Sequence, residues 1–176
     1  KKTGYYKMTI GTGLKSIFKN NVTEGIPLRY IGGNPLTGIK IDEDGFLHAY
    51  DSQITVIPEG VGVHEMFGWA SLSPNRYSAG CTYPKLQKEY RLDARILGGP
   101  RAITVSNEYD QVFPMDIYPE QLIKDTIDFN IDKMEQLGIY EVAPEDFALC
   151  EFVDTSKLEI QKIIRTGLDL LRKEME

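Results

Sequence analysis

The apolar positions of this 176-residue chain change their spacing along its length, from alternation in the first third to helical spacing in the last. Tyr5 to Ile10 alternates well enough for a strand. Thr12 is placed to cap a short helix through Leu14, Ile17 and Phe18, which share one face, and Asn20-Asn21 ends it. Pro27 to Ile31 reads as the next strand, followed by the turn signal Gly32-Gly33-Asn34-Pro35. Ile39 and Ile41 alternate with Lys40 and Asp42 before a turn at Asp42-Glu43-Asp44-Gly45. A last strand, Ile54 to Ile57, closes at Pro58.

The final third has a different period. Pro119 suits the first position of a helix, where a missing N–H costs little. Ile123, Ile127, Ile131 and Met134 then fall on one face, and Gly138 is placed to terminate that helix. Pro144 with Glu145 and Asp146 opens a second helix with acids near its positive end. Ser156 and Glu159 have capping-box spacing for a third, whose apolar stripe is Ile160, Ile164, Leu168, Leu171 and Met175, interrupted by Gly167. Three helices with one apolar face each predict a small bundle.

Between these regions, residues 61–100 are rich in Gly, Pro, Ser and Tyr, with short strands expected around Phe67–Trp69 and Leu92–Leu97. A structureless stretch of that length is unusual inside a compact domain, so a hairpin or a wrap over a neighbour is expected. Ala102 to Val105 reads as a further short strand after the break at Gly98-Gly99-Pro100-Arg101. The fold class is therefore α+β. A small β-grasp-like unit spans residues 1–62, an irregular β-rich connection 63–110, and a helical domain 111–176.

Composition narrows the function classes. Apolar content of 41% and charged content of 26% are ordinary for a globular protein. A net charge of −6 argues against nucleic-acid binding, which needs clustered Lys and Arg. No apolar run approaches the roughly 20 residues of a transmembrane helix, and no signal segment opens the chain. It begins at Lys1 rather than Met, which reads as a portion excised from a longer protein. Cys81 and Cys150 are too few for a disulfide framework or a thiolate metal site, and the compartment reads as reducing cytosol.

Candidate chemistry is sparse. His64-Glu65 begins like the zinc-protease motif, but position 68 is Gly and the one other histidine is His48, so metal ligands are lacking. Gly11-Thr12-Gly13 and Gly32-Gly33 complete neither the dinucleotide fingerprint nor the P-loop, and turns explain them. Asp42, Glu43 and Asp44 could touch a cation, or form a solvated turn ended by Gly45. Phe67, Trp69, Tyr77 and Tyr83 could line a slot for a quinone ring, the inner face of a hairpin, or a contact between subunits. No acid–base pair, activated nucleophile or metal set emerges, so the residues assign no catalytic, cofactor-binding or metal site.

Three phrases in one order point further. Tyr50 to Gly60, YDSQITVIPEG, precedes Glu65 to Ala70, EMFGWA, and both precede the segment Pro100 to Asp154 with its bracketed turn FPMDIYP and the later run APEDFALC. This order resembles the C-terminal part of the A subunit of the bacterial sodium-translocating NADH:quinone reductase, whose members carry a Q-I-(S/T)-V-I-x-E-G strand followed by E-x-F-G-W. The resemblance covers residues 26–176, and the first 25 match only in pattern.

The resemblance implies a soluble-ligand-binding β-grasp module with residues 28–38, LRYIGGNPLTG, as its Gly-Gly turn. It also implies a peripheral subunit on the cytoplasmic side of the bacterial inner membrane, with sister subunits as partners and either a docking or a ubiquinone-related role. NADH oxidation, flavins and an iron–sulfur centre belong to other subunits of that complex, and no cofactor is expected in this chain. Related subunits bind iron–sulfur clusters in C-terminal helical regions with four thiolates. Here Cys150 stands alone, with Asp154 where relatives are expected to carry another Cys, so a buried inert thiol is the expectation. A non-redox β-grasp ligand-binding or adaptor module is the alternative. The equivalent subunit of the ferredoxin-linked Rnf complex is disfavoured because its cysteine-rich motifs are missing.

Overall fold

The computed structural model describes residues 3–9, 11–60, 88–90, 92–96 and 98–176. Among these, a three-stranded antiparallel sheet near the start and a helical region at the end make the fold α+β.

The sheet consists of β1 (Leu28–Gly32), β2 (Ile39–Ile41) and β3 (Ile54–Pro58) in the order β2-β1-β3. All three strands fall where alternation placed them. Tyr30 pairs with Ile41 on one side and Val56 on the other, so alternate side chains meet on one face. A short helix, α1 (Lys15–Phe18), lays Phe18 against the Tyr30 ring at a centroid distance of 4.5 Å. Leu14, Phe18, Tyr30 and Ile41 form a small buried core, with Ile17, Leu28, Ile54 and Val56 half-buried around it. At the sheet end, Arg29 grips Glu59 with two hydrogen bonds, Nε to Oε2 at 2.9 Å and the terminal nitrogen to Oε1 at 2.6 Å. That bonding holds the Glu59 carboxyl below its ordinary range.

The helical region comprises α2 (Pro119–Ile127), α3 (Ile131–Gln136), α4 (Ala148–Val153) and α5 (Ile160–Met175), with 3-10 turns at Ile139–Glu141 and Pro144–Phe147. Its larger core holds Leu122, Ile123, Met134, Ile139, Phe147, Cys150, Ile160 and Ile164, all fully buried. Phe113 and Phe147 pack with ring centroids 4.7 Å apart. Among the described residues, none belongs to both cores.

Several expectations are corrected. Tyr5–Thr9 is not a strand: it has no ladder partner among the described residues, and Tyr5 is fully exposed. Thr12 does not cap α1; its hydroxyl donates to the Thr9 carbonyl at 2.8 Å. The described part of Leu92–Leu97 is not a strand, because Asp93 accepts from the Arg95 amide and side chain in place of ladder bonds. Ala102–Val105 is not one either: the segment docks on the helical unit through Arg101 N donating to Ser156 O and Ser156 Oγ donating to Ala102 O.

The single helix expected from Pro119 to Gly138 is two. Phe129 turns left-handed at φ 50°, and Asn130 restarts the chain by accepting from the Lys133 amide as the cap of α3. The break swings Ile127 out to half exposure instead of into the core stripe. Gly138, with φ 86°, does end α3 as expected.

The second helix opens at Pro144, where Asp146 reaches back to accept from the Ala143 amide at 2.8 Å. In the third, Ile160, Ile164 and Leu171 are buried, but Met175 is exposed. Gly167 is a contact rather than an interruption: a Cβ there would lie 2.5 Å from Thr126 Cγ2 and 3.3 Å from Met134 Cε. The expected strand at Phe67–Trp69 lies outside the described residues, as does most of the 61–100 hairpin or wrap.

Candidate functional site

The best-organised polar centre lies where α4 hands over to α5. Asp154 is almost fully buried, and its carboxylate accepts three hydrogen bonds: from the Tyr109 hydroxyl at 2.7 Å, the Ser156 amide at 2.8 Å and the Leu158 amide at 2.7 Å. A buried carboxylate is tolerated only with such partners. Ser156 was expected to cap α5 through a box with Glu159. Its hydroxyl is instead spent on Ala102, and the Glu159 side chain offers no cap to the helix it precedes.

The cap comes from the preceding helix. Glu151 Oε2 accepts from the Gln161 amide at 2.9 Å and from the Gln161 side chain at 3.3 Å, placing a carboxylate at the positive end of α5. Lys157 closes the loop in a left-handed conformation, φ 56°, with its ammonium 2.7 Å from the Asp154 carbonyl. Burial lowers the Lys157 pKa, against the opposing pull of Asp154. Burial, with the Asp154 hydrogen bond, raises that of Tyr109.

Cys150 sits at full burial beside this centre, and burial pushes its thiol up to about 12. The burial is as expected, and a protonated, enclosed thiol is a poor nucleophile. Among the described residues, no three His, Cys, Asp or Glu side chains converge as metal ligands. The Tyr109–Asp154 pair faces the core rather than a cleft, so its chemistry is structural: it fixes the α4–α5 loop and the 98–102 segment.

The other sequence candidates are dispersed. His64, Glu65, Phe67, Trp69, Tyr77, Cys81 and Tyr83 lie outside the described residues. His48 is exposed, with Nδ1 3.3 Å from Asp51 Oδ2. Asp42–Gly45 is a turn, closed by the Gly45 amide on the Asp42 carbonyl at 2.9 Å, and Asp44 pairs with Lys15 at 2.8 Å. Gly33 takes φ +98°; its amide donates to Gln53 O and its carbonyl accepts from Thr55 Oγ1, as a turn glycine should be held. Gly11, at φ +83°, is likewise in a turn.

Reading the residues alone missed Asp154, Glu151 and Tyr109. The signal for Asp154 was present: Asp-Thr-Ser between two helical patterns is an Asx-turn composition. Nothing local marks Glu151, whose target lies ten residues on.

The described residues thus make an α+β chain with two hydrophobic cores and a buried polar centre at the α4–α5 loop. No family model matches the chain. Curated relatives do. The A subunits of the Na(+)-translocating NADH-quinone reductase from Haemophilus influenzae (strain ATCC 51907 / DSM 11121 / KW20 / Rd) and Neisseria gonorrhoeae (strain NCCP11945) are each 36% identical, over 96% and 83% of this chain. The one from Neisseria meningitidis serogroup B (strain ATCC BAA-335 / MC58) is 35% identical over 83%. The chain spans only 38% and 33% of the lengths of the first two. It belongs to the A-subunit family of the Na(+)-translocating NADH-quinone reductase and corresponds to a portion of that protein.

Proposed function

We propose that this chain is the C-terminal portion of the peripheral A subunit of a sodium-pumping NADH:quinone oxidoreductase, and that its work there is docking to sister subunits. The observation that carries this is the extent of the likeness: identity of 36% runs over 96% of the chain rather than through one motif. A peripheral position on the cytoplasmic face is part of the same proposal; among the described residues, no helix is long and apolar enough to cross a membrane.

Exposed apolar side chains of the helical unit supply the contact. Tyr118, Ile127, Tyr140, Leu149 and Met175 are each between 45% and 73% exposed and are the side chains assigned to it. The sheet unit carries the β-grasp role, supported by α1 packed across the strands and by the Gly33 turn. The division proposed is a β-grasp-like unit over 1–62, a connection over 63–110 and a helical domain over 111–176; Ile103 and Tyr109 of that connection pack with the helical core. NADH, flavin, iron–sulfur and ubiquinone chemistry falls to other parts of the complex.

The test is affinity purification of the tagged native-length protein from gently solubilised membranes. Recovery of flavin-bearing membrane subunits with NADH:quinone reductase activity supports the assignment. Recovery of the protein alone, or with unrelated soluble partners, overturns it in favour of a free-standing adaptor.

A further inference from the structure

The turn at Asp42–Gly45 carries chemistry of its own. Asp44 precedes Gly45 in the one Asp-Gly step of the 176 residues, and no Asn-Gly step occurs. An aspartyl side chain can close on the amide nitrogen of the next residue, and a following glycine, without a Cβ, obstructs that approach least.

The surroundings of Asp44 leave the reaction open. Its side chain keeps 70% of its accessible surface, and Asp42 and Glu43 beside it are exposed as well. Asp51, followed by Ser52, instead has its Oδ2 buried against Gly32, and Asp154 commits its carboxylate to three hydrogen bonds. The nitrogen that must attack, Gly45 N, donates to the Asp42 carbonyl at 2.9 Å. That bond closes an exposed turn, which opens locally at small cost.

Two further contacts give the turn a restraint and a consequence. Lys15 Nζ lies 2.8 Å from Asp44 Oδ1. The hydrogen bond with Asp44, and then the charge of Asp44, raise the Lys15 pKa, so the ammonium stays charged and keeps its hold. On the other side, Gly45 O accepts from the Leu14 amide at 3.1 Å, and Phe46 bridges to Gly13. The peptide that follows Asp44 therefore seats Leu14, which is fully buried in the small core.

We propose that Asp44 is a site of spontaneous isoaspartate formation, with Lys15 as its brake. Gly45 N, once its proton has passed to a solvent base, attacks Cγ of the protonated Asp44 carboxyl. The new C–N bond forms, the carboxyl hydroxyl leaves as water, and a five-membered succinimide results. Water then opens the ring. Attack at Cγ restores aspartate, whereas attack at the main-chain carbonyl leaves Gly45 N bonded to Cγ. One water is lost and one regained, so composition is unchanged while the main chain gains a methylene. The added length falls next to the Gly45–Leu14 contact and loosens it. Lys15 opposes closure because the carboxylate must leave its ammonium before it can reach Gly45 N. Exposed ion pairs hold weakly, so release from Lys15 should speed conversion about two- to fivefold. The inference is independent of the family assignment, since it concerns only the chain's own bonds.

The test ages the native-length protein at neutral pH over several weeks. Residue 44 is then read by electron-transfer fragmentation, which separates isoaspartate from aspartate, and by methyl transfer from a protein L-isoaspartyl methyltransferase. Isoaspartate is expected to accumulate at Asp44 ahead of Asp51. Lys15→Met should speed it two- to fivefold and Lys15→Arg should restore the original rate. Asp44→Glu, which would need a six-membered ring, should abolish it with the charge kept. Asp44→Asn closes the same five-membered ring with ammonia leaving and should convert faster still. Absence of isoaspartate at residue 44 in the unsubstituted protein overturns the site, and an Asp44→Asn variant that also fails to convert shows that the turn forbids the ring. A rate unchanged by Lys15→Met overturns the brake. Equal acceleration at Asp51 would mark general unfolding and overturns it too.

Discussion

The sheet unit and the helical unit solve the same problem by different means. Among the described residues, the sheet unit's core is a cluster of four buried side chains, Leu14, Phe18, Tyr30 and Ile41, supported by half-buried neighbours, backbone ladders and the surface grip of Arg29 on Glu59. The helical unit buries thirteen hydrophobic side chains and can therefore also enclose a charged carboxylate, whose three bonds replace missing solvent. Core size decides which polar groups a small unit can hide: a four-residue core keeps its charges at the rim, whereas a larger one uses a charge as an internal staple. Burying such groups stabilises only when every bond is made.

This contrast breaks most visibly at Phe147. Phe147→Ala empties a fully buried ring site and should cost about 3–5 kcal/mol, read as a lower urea midpoint for loss of helical circular dichroism. Phe18→Ala, at the edge of the smaller core, should leave that transition nearly unchanged, because the cores share no residue. A large drop from Phe18→Ala would show the two units to be one cooperative body.

Asp154→Asn comes next. One amide oxygen cannot accept what two carboxylate oxygens accept, and its NH2 faces donors, so a loss of about 3 kcal/mol is expected in the same assay. Tyr109→Phe, which removes one of the three bonds, should cost about 1–1.5 kcal/mol. Equal costs would mean that the hydroxyl, not the carboxylate, organises the loop.

Gly167→Ala tests packing against propensity. Alanine favours a helix over glycine by about 1 kcal/mol, but its methyl would press on Thr126 and Met134, and overpacking costs about 1–3 kcal/mol. A lower melting temperature is expected, and a rise would show that α2 and α5 part easily. In the sheet unit, Gly33→Ala forces an L-residue to φ +98° with its Cβ 3.2 Å from the Gly38 backbone, at a cost of about 1 kcal/mol or more. An unchanged melting temperature would remove the constraint from that turn.

The pH signature has opposite directions in the two units. The Glu59 carboxyl is held below its ordinary value of 4.5 by the Arg29 hydrogen bond. Its contribution is present above pH 4.5 and is lost as pH falls through the lowered value. Cys150 is raised by burial from 9.0 to about 12, so the folded helical unit keeps a proton that the unfolded chain releases. Its stability is intact below pH 9 and declines as pH rises from 9 towards 12, reinforced by Tyr109, raised for the same reason. Melting curves from pH 3 to 11 check both arms. Arg29→Met should flatten the acid arm and Cys150→Ala the alkaline one.

Legibility in the sequence followed the range of the interactions. β1, β2, β3 and the Gly33 turn could be read because alternation and turn residues act within a few positions. Pro119, Pro144 and Gly138 marked helix ends for the same reason. The break at Phe129-Asn130 was hidden because the apolar spacing runs on through it, even though Asn130 is a good cap. Asp154 and Glu151 were hidden differently: their meaning lies in partners at Tyr109, Leu158 and Gln161, which no periodicity links. The strands expected at Tyr5, Leu92 and Ala102 failed because propensity alone does not make a ladder: among the described residues none of these segments pairs along β2 or β3, the two edges of the sheet.

Cys150 has a practical consequence. Because its sulfur is enclosed in the helical core and keeps its proton at neutral pH, a thiol reagent reaches it only when that core opens. In a Cys81→Ser background the chain therefore carries its own stopwatch: the rate at which an added disulfide reagent consumes the remaining thiol counts openings of the helical unit. Followed with and without a bound partner, that clock would report how firmly assembly holds the unit shut.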